Sequence, residues 1–240
     1  MDRPLHQTHS PADNRLLAAL PVDDLDRLRP NLEFVPLAFR QALHEPGGPI
    51  RFVYFPTAGL ASLVAMMANG ASVEVGMIGK EGVVGVSIVL GDDVSPHRAF
   101  VQVPGAAFRL EAGRLRSAFE RSAAVRSLLL RYVRMMLRHI SQSAACNRVH
   151  SLEPRCARWL LTTRDLVEAD EFPLTHEFLA LMLGVRRAGV SIAAQALQEA
   201  GLIRYRHGRM AILDPAGLEA AACECYRSLK DEADRLLHRC

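Results

Sequence analysis

The chain has 240 residues, half of them hydrophobic, enough for one large domain or two small ones. No run approaches the ~18 apolar residues that a membrane-spanning helix needs. The polar start, Met1–Asn14, has two prolines and no apolar core, so it does not read as a signal peptide. A cytoplasmic protein without a membrane span is predicted.

Net charge is +3, unevenly spread. Met1–Gly113 has nine basic residues against twelve acidic; Arg114–Cys240 has twenty against fourteen. An acidic half joined to a basic half suggests that the basic half meets a polyanion. The five cysteines all lie from Cys146 onward, an odd count without the framework of a secreted disulfide fold. Cys223 and Cys225 form a CxC with no second pair to complement it. They read as reduced thiols, and no metal is assigned.

In chain order, Asn14–Leu28 is predicted as a short helix whose leucine stripe is interrupted by Pro21. Six β-rich runs follow: Arg51–Phe55, Ala61–Met67, Ser72–Ile78, Val83–Leu90, Ala99–Val103 and Ala107–Leu110. Eleven of the sixteen glycines fall between Gly47 and Gly113 and punctuate these runs as turn residues. Many short strands without strand–helix alternation predict a roll or sandwich. Leu115–Ser151 contains neither proline nor glycine and is predicted as one long helix. Val125, Leu129, Tyr132, Met136, Ile140, Ser143 and Asn147 recur along it at three-to-four spacing, a seam suited to a homodimer, which the length favours, or to the core of one subunit. Another helix, Arg155–Val167, leads to the acidic stretch Glu168–Glu171.

Leu174–Leu213 carries the most specific signal. Thr175 is placed to cap a helix, Gly184 to turn the chain, and Gly201 to end a second helix, Arg187–Ala200. Two short helices joined by a glycine turn make a helix-turn-helix. Leu202–Tyr205 and Met210–Leu213, flanking Arg206-His207-Gly208-Arg209, then read as a basic-tipped hairpin, the wing. Five arginines against Glu199 between Arg186 and Arg209 suit contacts with DNA phosphates. The predicted DNA-contacting residues are Thr175, Arg186, Arg187, Ser191, Gln195, Arg206 and Arg209.

These residues carry a resemblance. "VYFP" (Val53–Pro56), "EVGMIGKEGVVG" (Glu74–Gly85), "FVQVPG" (Phe100–Gly105) and above all Leu174–Ile203 resemble the Crp/Fnr superfamily of transcription regulators. The resemblance covers Asn14 to about Tyr226. It implies an α+β fold: an N-terminal β-roll of the cyclic-nucleotide-binding, jelly-roll kind, a long dimerisation helix, and a C-terminal winged helix-turn-helix. The matching domains here are 14–114, 115–152 and 153–240. It further implies double-stranded DNA and a second copy of the chain as partners, with RNA polymerase as another.

The ligand signature departs from the family. Its cyclic-AMP binders carry Gly-Glu and Arg-Ser in the roll; the matching positions here are Gly85-Val86 and His97-Arg98. A pocket at these residues is therefore expected not to take cyclic AMP. The family's iron–sulfur members use N-terminal cysteines, which this chain lacks. Nine histidines are available to haem, but no pattern selects one. The cofactor stays unassigned. No nucleophile–base pair, HExxH or paired-carboxylate motif is present, so no enzyme is predicted. A winged helix that binds protein rather than DNA is the alternative, separated from the first reading by a salt-dependent DNA-binding assay.

Overall fold

A computed structural model describes residues 9–238. The start of the chain, Met1–Thr8, and its last two residues, Arg239 and Cys240, lie outside the described residues. Pro21 breaks the first predicted helix in two, α1 (Arg15–Ala18) and α2 (Val22–Leu28). Asn14 caps α1 and is fully buried. Its side-chain amide donates to Pro56 O and Gly82 O, tying the N-terminal segment to the roll.

The roll contains β1 (Glu33–Leu37), β2 (Ala42–His44), β3 (Phe52–Met66), β4 (Ser72–Ile78) and β5 (Arg98–Glu111). Their antiparallel order is β1-β5-β3-β4, with β2 also paired to β5. Two pairs of predicted runs thus fuse into two long strands. The prolines and glycines between them, Pro56 and Gly59 on β3 and Pro104-Gly105 on β5, mark bulges instead of turns. A bulge bends a strand and lets it continue. The backbones approach closely there: a Cβ on Gly105 would lie 2.1 Å from Ala58 O. The predicted strand Val83–Leu90 is corrected. Val86–Leu90 is a 3-10 helix entered through Gly85 and left through Gly91, both in the left-handed region at φ 93° and 94°. Glycines at both ends set this turn, and apolar content alone does not distinguish it from a buried strand.

The long predicted helix is also divided, into α3 (Ala112–Arg121) and α4 (Ala123–Val149). Ser122 is extended; its hydroxyl accepts from Val125 N and donates to Asp24 on α2. A serine cap thus ends one helix and starts the next with no proline or glycine. α5 (Leu152–Val167) then begins the second half.

The C-terminal part consists of β6 (Glu171–Pro173), α6 (His176–Leu183), α7 (Arg187–Glu199), β7 (Ile203–Arg206), β8 (Arg209–Ile212), α8 (Pro215–Ala221) and α9 (Cys225–His238). Its core is built on Trp159, Leu160, Leu179, Val190, Leu197 and Met210, and includes Val64 and Phe100 of the roll. Trp159 Nε1 donates to Glu74 Oε1 of β4 at 2.7 Å. Burial pushes the Glu74 carboxyl up to about 7, against hydrogen bonds from Ser62 and Trp159 and the charge of Arg158. Phe178 of α6 meets Phe100 edge-on, with centroids 6.1 Å apart. No described helix is long and apolar enough to cross a membrane.

Candidate nucleic-acid interface

α6 and α7 form the helix-turn-helix. Thr175 caps α6, its Oγ1 accepting from Phe178 N at 3.1 Å. Gly184, at φ 64°, turns the chain. A side chain there would meet Val73 of β4 at 3.0 Å, so the turn lies against the roll. Val190, Ala193, Ala194 and Leu197 bury the inner face of α7.

Arg186 and Arg187 stand exposed at the start of α7, where free backbone N–H groups and the helix dipole favour an anion. Gln195 is exposed two turns on, its amide donating to Glu199 at 2.8 Å. Ser191, predicted as a DNA contact, is turned toward α6 instead. It is half-buried, and its Oγ is 3.1 Å from His176 Nδ1 of α6. His176 also stacks on Tyr205 of the wing at 4.2 Å. Burial, then the charge of Arg187, hold the imidazole below its usual range. The pair joins both helices and the wing. Ile192, absent from the predicted contacts, is 71% exposed on the same face as Ala188 and Gln195. Its signal is the exposed arc of α7 itself, at 188, 192 and 195.

The wing is a two-residue hairpin, with strands one residue displaced from the predicted runs. Arg206 pairs with Arg209 across His207-Gly208, both at positive φ (50° and 74°). That geometry matches the right-handed strand twist. Arg204 and Arg206 are exposed. Arg209 is exposed too, but its guanidinium is ion-paired to Glu171 of β6.

The roll pocket brings together most of its predicted residues. A cavity of about 140 Å³ is lined by Gly85, Val86 and His97, with Val133, Met136 and Ile140 of α4 opposite. His44 also lines it, and no sequence pattern singles that residue out. Arg98 is not among the lining residues; its Nε lies 3.4 Å from Glu45. Burial lowers the pKa of both His97 and His44 below the usual imidazole range.

The predicted dimer seam is not all available. Val125, Leu129 and Tyr132 are at most 2% exposed and pack inside the protomer with Phe55, Val83 and Leu110 of the roll. Tyr132 Oη accepts from Val83 N at 3.1 Å. Met136 and Ser143 are half-buried; the first lines the roll pocket and the second a larger cavity under α9. The three-to-four spacing marks the face turned toward the roll. One step around, Leu130, Val133, Leu137, Ile140, Ala144 and Asn147 also recur at three-to-four spacing, and Val133, Leu137 and Ile140 of this set border the roll pocket. Leu130 is 46% exposed and Leu137 61%. Ile140 and Asn147 belong to both sets.

Residues 154–221 match the family model of the Crp-like helix-turn-helix domain. Solved structures share the fold over most of the chain. FixK2 from Bradyrhizobium japonicum is 16% identical, covering 80% of this chain and 98% of its own, with a TM-score of 0.69. A CRP-family transcriptional regulator from Thermus thermophilus is 20% identical, covering 80% and 99%, with a TM-score of 0.66. The c-di-GMP-responsive global regulator CLP from Xanthomonas campestris is 17% identical, covering 80% and 99%, with a TM-score of 0.64. No curated protein matches the chain.

Proposed function

The chain carries a Crp-like helix-turn-helix domain on the fold of the Crp/Fnr transcription regulators, and from that premise we propose that it is a sequence-specific DNA-binding regulator acting as a homodimer. The observation that carries this reading is the exposed face of α7. It offers Arg187 at its first turn, Ile192 and Gln195 behind it, and the arginines of the wing beside it.

Each part has a role. Arg187 reads a guanine edge by a bidentate pair. Ile192 packs on a thymine methyl, a contact open to an apolar side chain in the major groove. Arg186, Arg204 and Arg206 hold phosphates, which fixes register without reading sequence. Arg209, tied to Glu171, contributes less. Ser191 positions α7 through His176. The protein works in the cytoplasm, with RNA polymerase as a further partner.

Selection of bound sequences from random DNA tests this. Arg187→Ala should lose about 1–3 kcal/mol of discrimination at one base pair. Arg206→Ala should weaken all sequences alike and lower the salt slope by about one. Unchanged selectivity in Arg187→Ala would reassign that residue to phosphate. Salt-insensitive, unselective binding by the wild type would sink the DNA reading.

Two copies would meet through the outer seam of α4, Leu130 to Asn147, and select a near-palindrome with half-sites about 10 bp apart. The roll would then sense or relay a signal. Cyclic AMP is not that signal. Val86 offers no acceptor for a ribose hydroxyl, and leaving such a group unpaired costs about 1–3 kcal/mol. Arg98 is paired with Glu45, and among the described residues lining the pocket there is no lysine or arginine to meet a cyclic phosphate. Calorimetry with cyclic AMP and cyclic GMP is expected to show no micromolar binding. Micromolar binding that also raised DNA affinity would refute this.

A further inference from the structure

Three thiols and one imidazole converge at the C-terminal end of α4 from two distant stretches of chain. Cys146 and His150 stand four residues apart, one helical turn, on the same face. Cys223 and Cys225 lie between α8 and the start of α9. Their ligand atoms all fall within 4.8 Å of one another. Cys146 Sγ is 3.5 Å from Cys223 Sγ, and Cys225 Sγ is 3.8 Å from His150 Nδ1. A tetrahedral zinc ion with bonds of about 2.3 Å to sulfur sets edges of about 3.8 Å between its ligands. The four atoms therefore need only small adjustments to take one ion. A polynuclear iron–sulfur cluster, which spreads its cysteines over several irons, fits this spacing poorly.

Buried cysteines often pack simply as small apolar residues. The surroundings say more here. His150 Nε2 is 3.1 Å from Glu224 Oε2, so the other ring nitrogen faces the thiols. Carboxylate, imidazole and metal in line is the arrangement that orients a histidine ligand. Gln142 Nε2 donates to Cys225 Sγ at 3.1 Å, as an amide does to a ligating sulfur. The three thiols are at most 7% exposed. Arg155 and Arg158 of α5, both mostly buried, act electrostatically on Cys146. They would offset the charge left by three thiolates on a divalent ion.

We propose that Cys146, His150, Cys223 and Cys225 form a Cys3His site for one zinc ion per chain, which clamps the start of α9 to the end of α4. The clamp sits at a consequential place. α4 ends at Val149, His150 is its C-cap, and α5 starts at Leu152. The ion would fix the joint between the long helix and the helix-turn-helix domain. An effect of the metal on DNA affinity rests on the function proposed above; the site itself does not.

The test uses the full chain without an affinity tag, purified under reduction and assayed by elemental analysis and by cobalt substitution. About one zinc per chain is expected, and cobalt should give thiolate charge-transfer bands. Cys146→Ser and Cys225→Ser should abolish both. Glu224→Gln, at a side chain 79% exposed and so harmless to folding, should lower metal affinity about 10- to 100-fold. Cys156→Ala, outside the cluster, should keep full loading. Reduced protein without zinc or cobalt–thiolate bands would overturn the proposal, as would full loading in Cys225→Ser. A Cys146–Cys223 disulfide as the stable state of the purified protein would do the same. Loss of DNA affinity on chelation would extend the site to regulation. Failure to bind DNA with zinc in place would count against the DNA reading alone.

Discussion

Leu137→Glu is expected to yield a folded monomer whose specific DNA affinity falls at least about a hundredfold. Leu137 is 61% exposed in the single chain, so a glutamate there is solvated and leaves the protomer's cores intact. In a parallel pair of α4 helices the same position faces its counterpart on the seam. A carboxylate buried there without a partner costs several kcal/mol in each copy. A monomer has one recognition helix and loses the second half-site. The gap between specific binding at about 10⁻⁸–10⁻¹¹ M and non-specific binding at about 10⁻⁴–10⁻⁶ M leaves ample room for the effect. Sedimentation at micromolar concentration measures the first consequence and a titration on the selected site the second. A Leu137→Glu protein that stayed dimeric would remove α4's outer seam from the interface.

Tyr132→Ala is expected to destabilise the protein by about 3–5 kcal/mol, the range for deleting a buried aromatic ring. Tyr132 is 1% exposed, and burial pushes its phenol well above the usual range. The hydroxyl lies between Val83 N at 3.1 Å and Val83 O at 3.3 Å. The ring fills space left by Gly82, where an added Cβ would lie 2.2 Å from Tyr132 Oη. Truncation leaves both a cavity and an unpaired backbone N–H. Tyr132→Phe keeps the ring and should cost only about 1–3 kcal/mol, while remaining dimeric. Thermal or urea unfolding reads both changes. If Tyr132→Ala melted like the wild type but ran as a monomer, Tyr132 would belong to the seam, as spacing alone suggested.

Those two residues show how far spacing reaches. Along α4 the three-to-four pattern correctly announced a long helix with apolar faces. A helix with two apolar arcs carries two such patterns, one step apart, and the sequence does not say which neighbour each one meets. Only the roll, closing over Val125, Leu129 and Tyr132, assigns the inner face. The break at Ser122 was hidden for a related reason. A serine can cap a helix or sit within one, and its contact with Asp24, 98 residues away, belongs to the tertiary fold.

Local chemistry was a sound guide wherever backbone geometry decides the outcome. Thr175, Gly184 and the His207-Gly208 pair set the cap, the turn and the wing from within a few residues. The helix-turn-helix, the wing and the order of roll, long helix and winged helix were therefore legible from residues close together in the chain. Only the packed fold settles which strands continue through their bulges, which face of α4 the roll covers, and which acids Arg98 and Arg209 pair with. It alone also brought Cys146 and His150 together with Cys223 and Cys225, 77 residues apart at the closest thiol pair. Caps and tight turns are stabilised by neighbours along the chain, whose spacing is written in the sequence. Ion pairs, strand bends and ligand clusters depend on contacts that close only when distant segments pack.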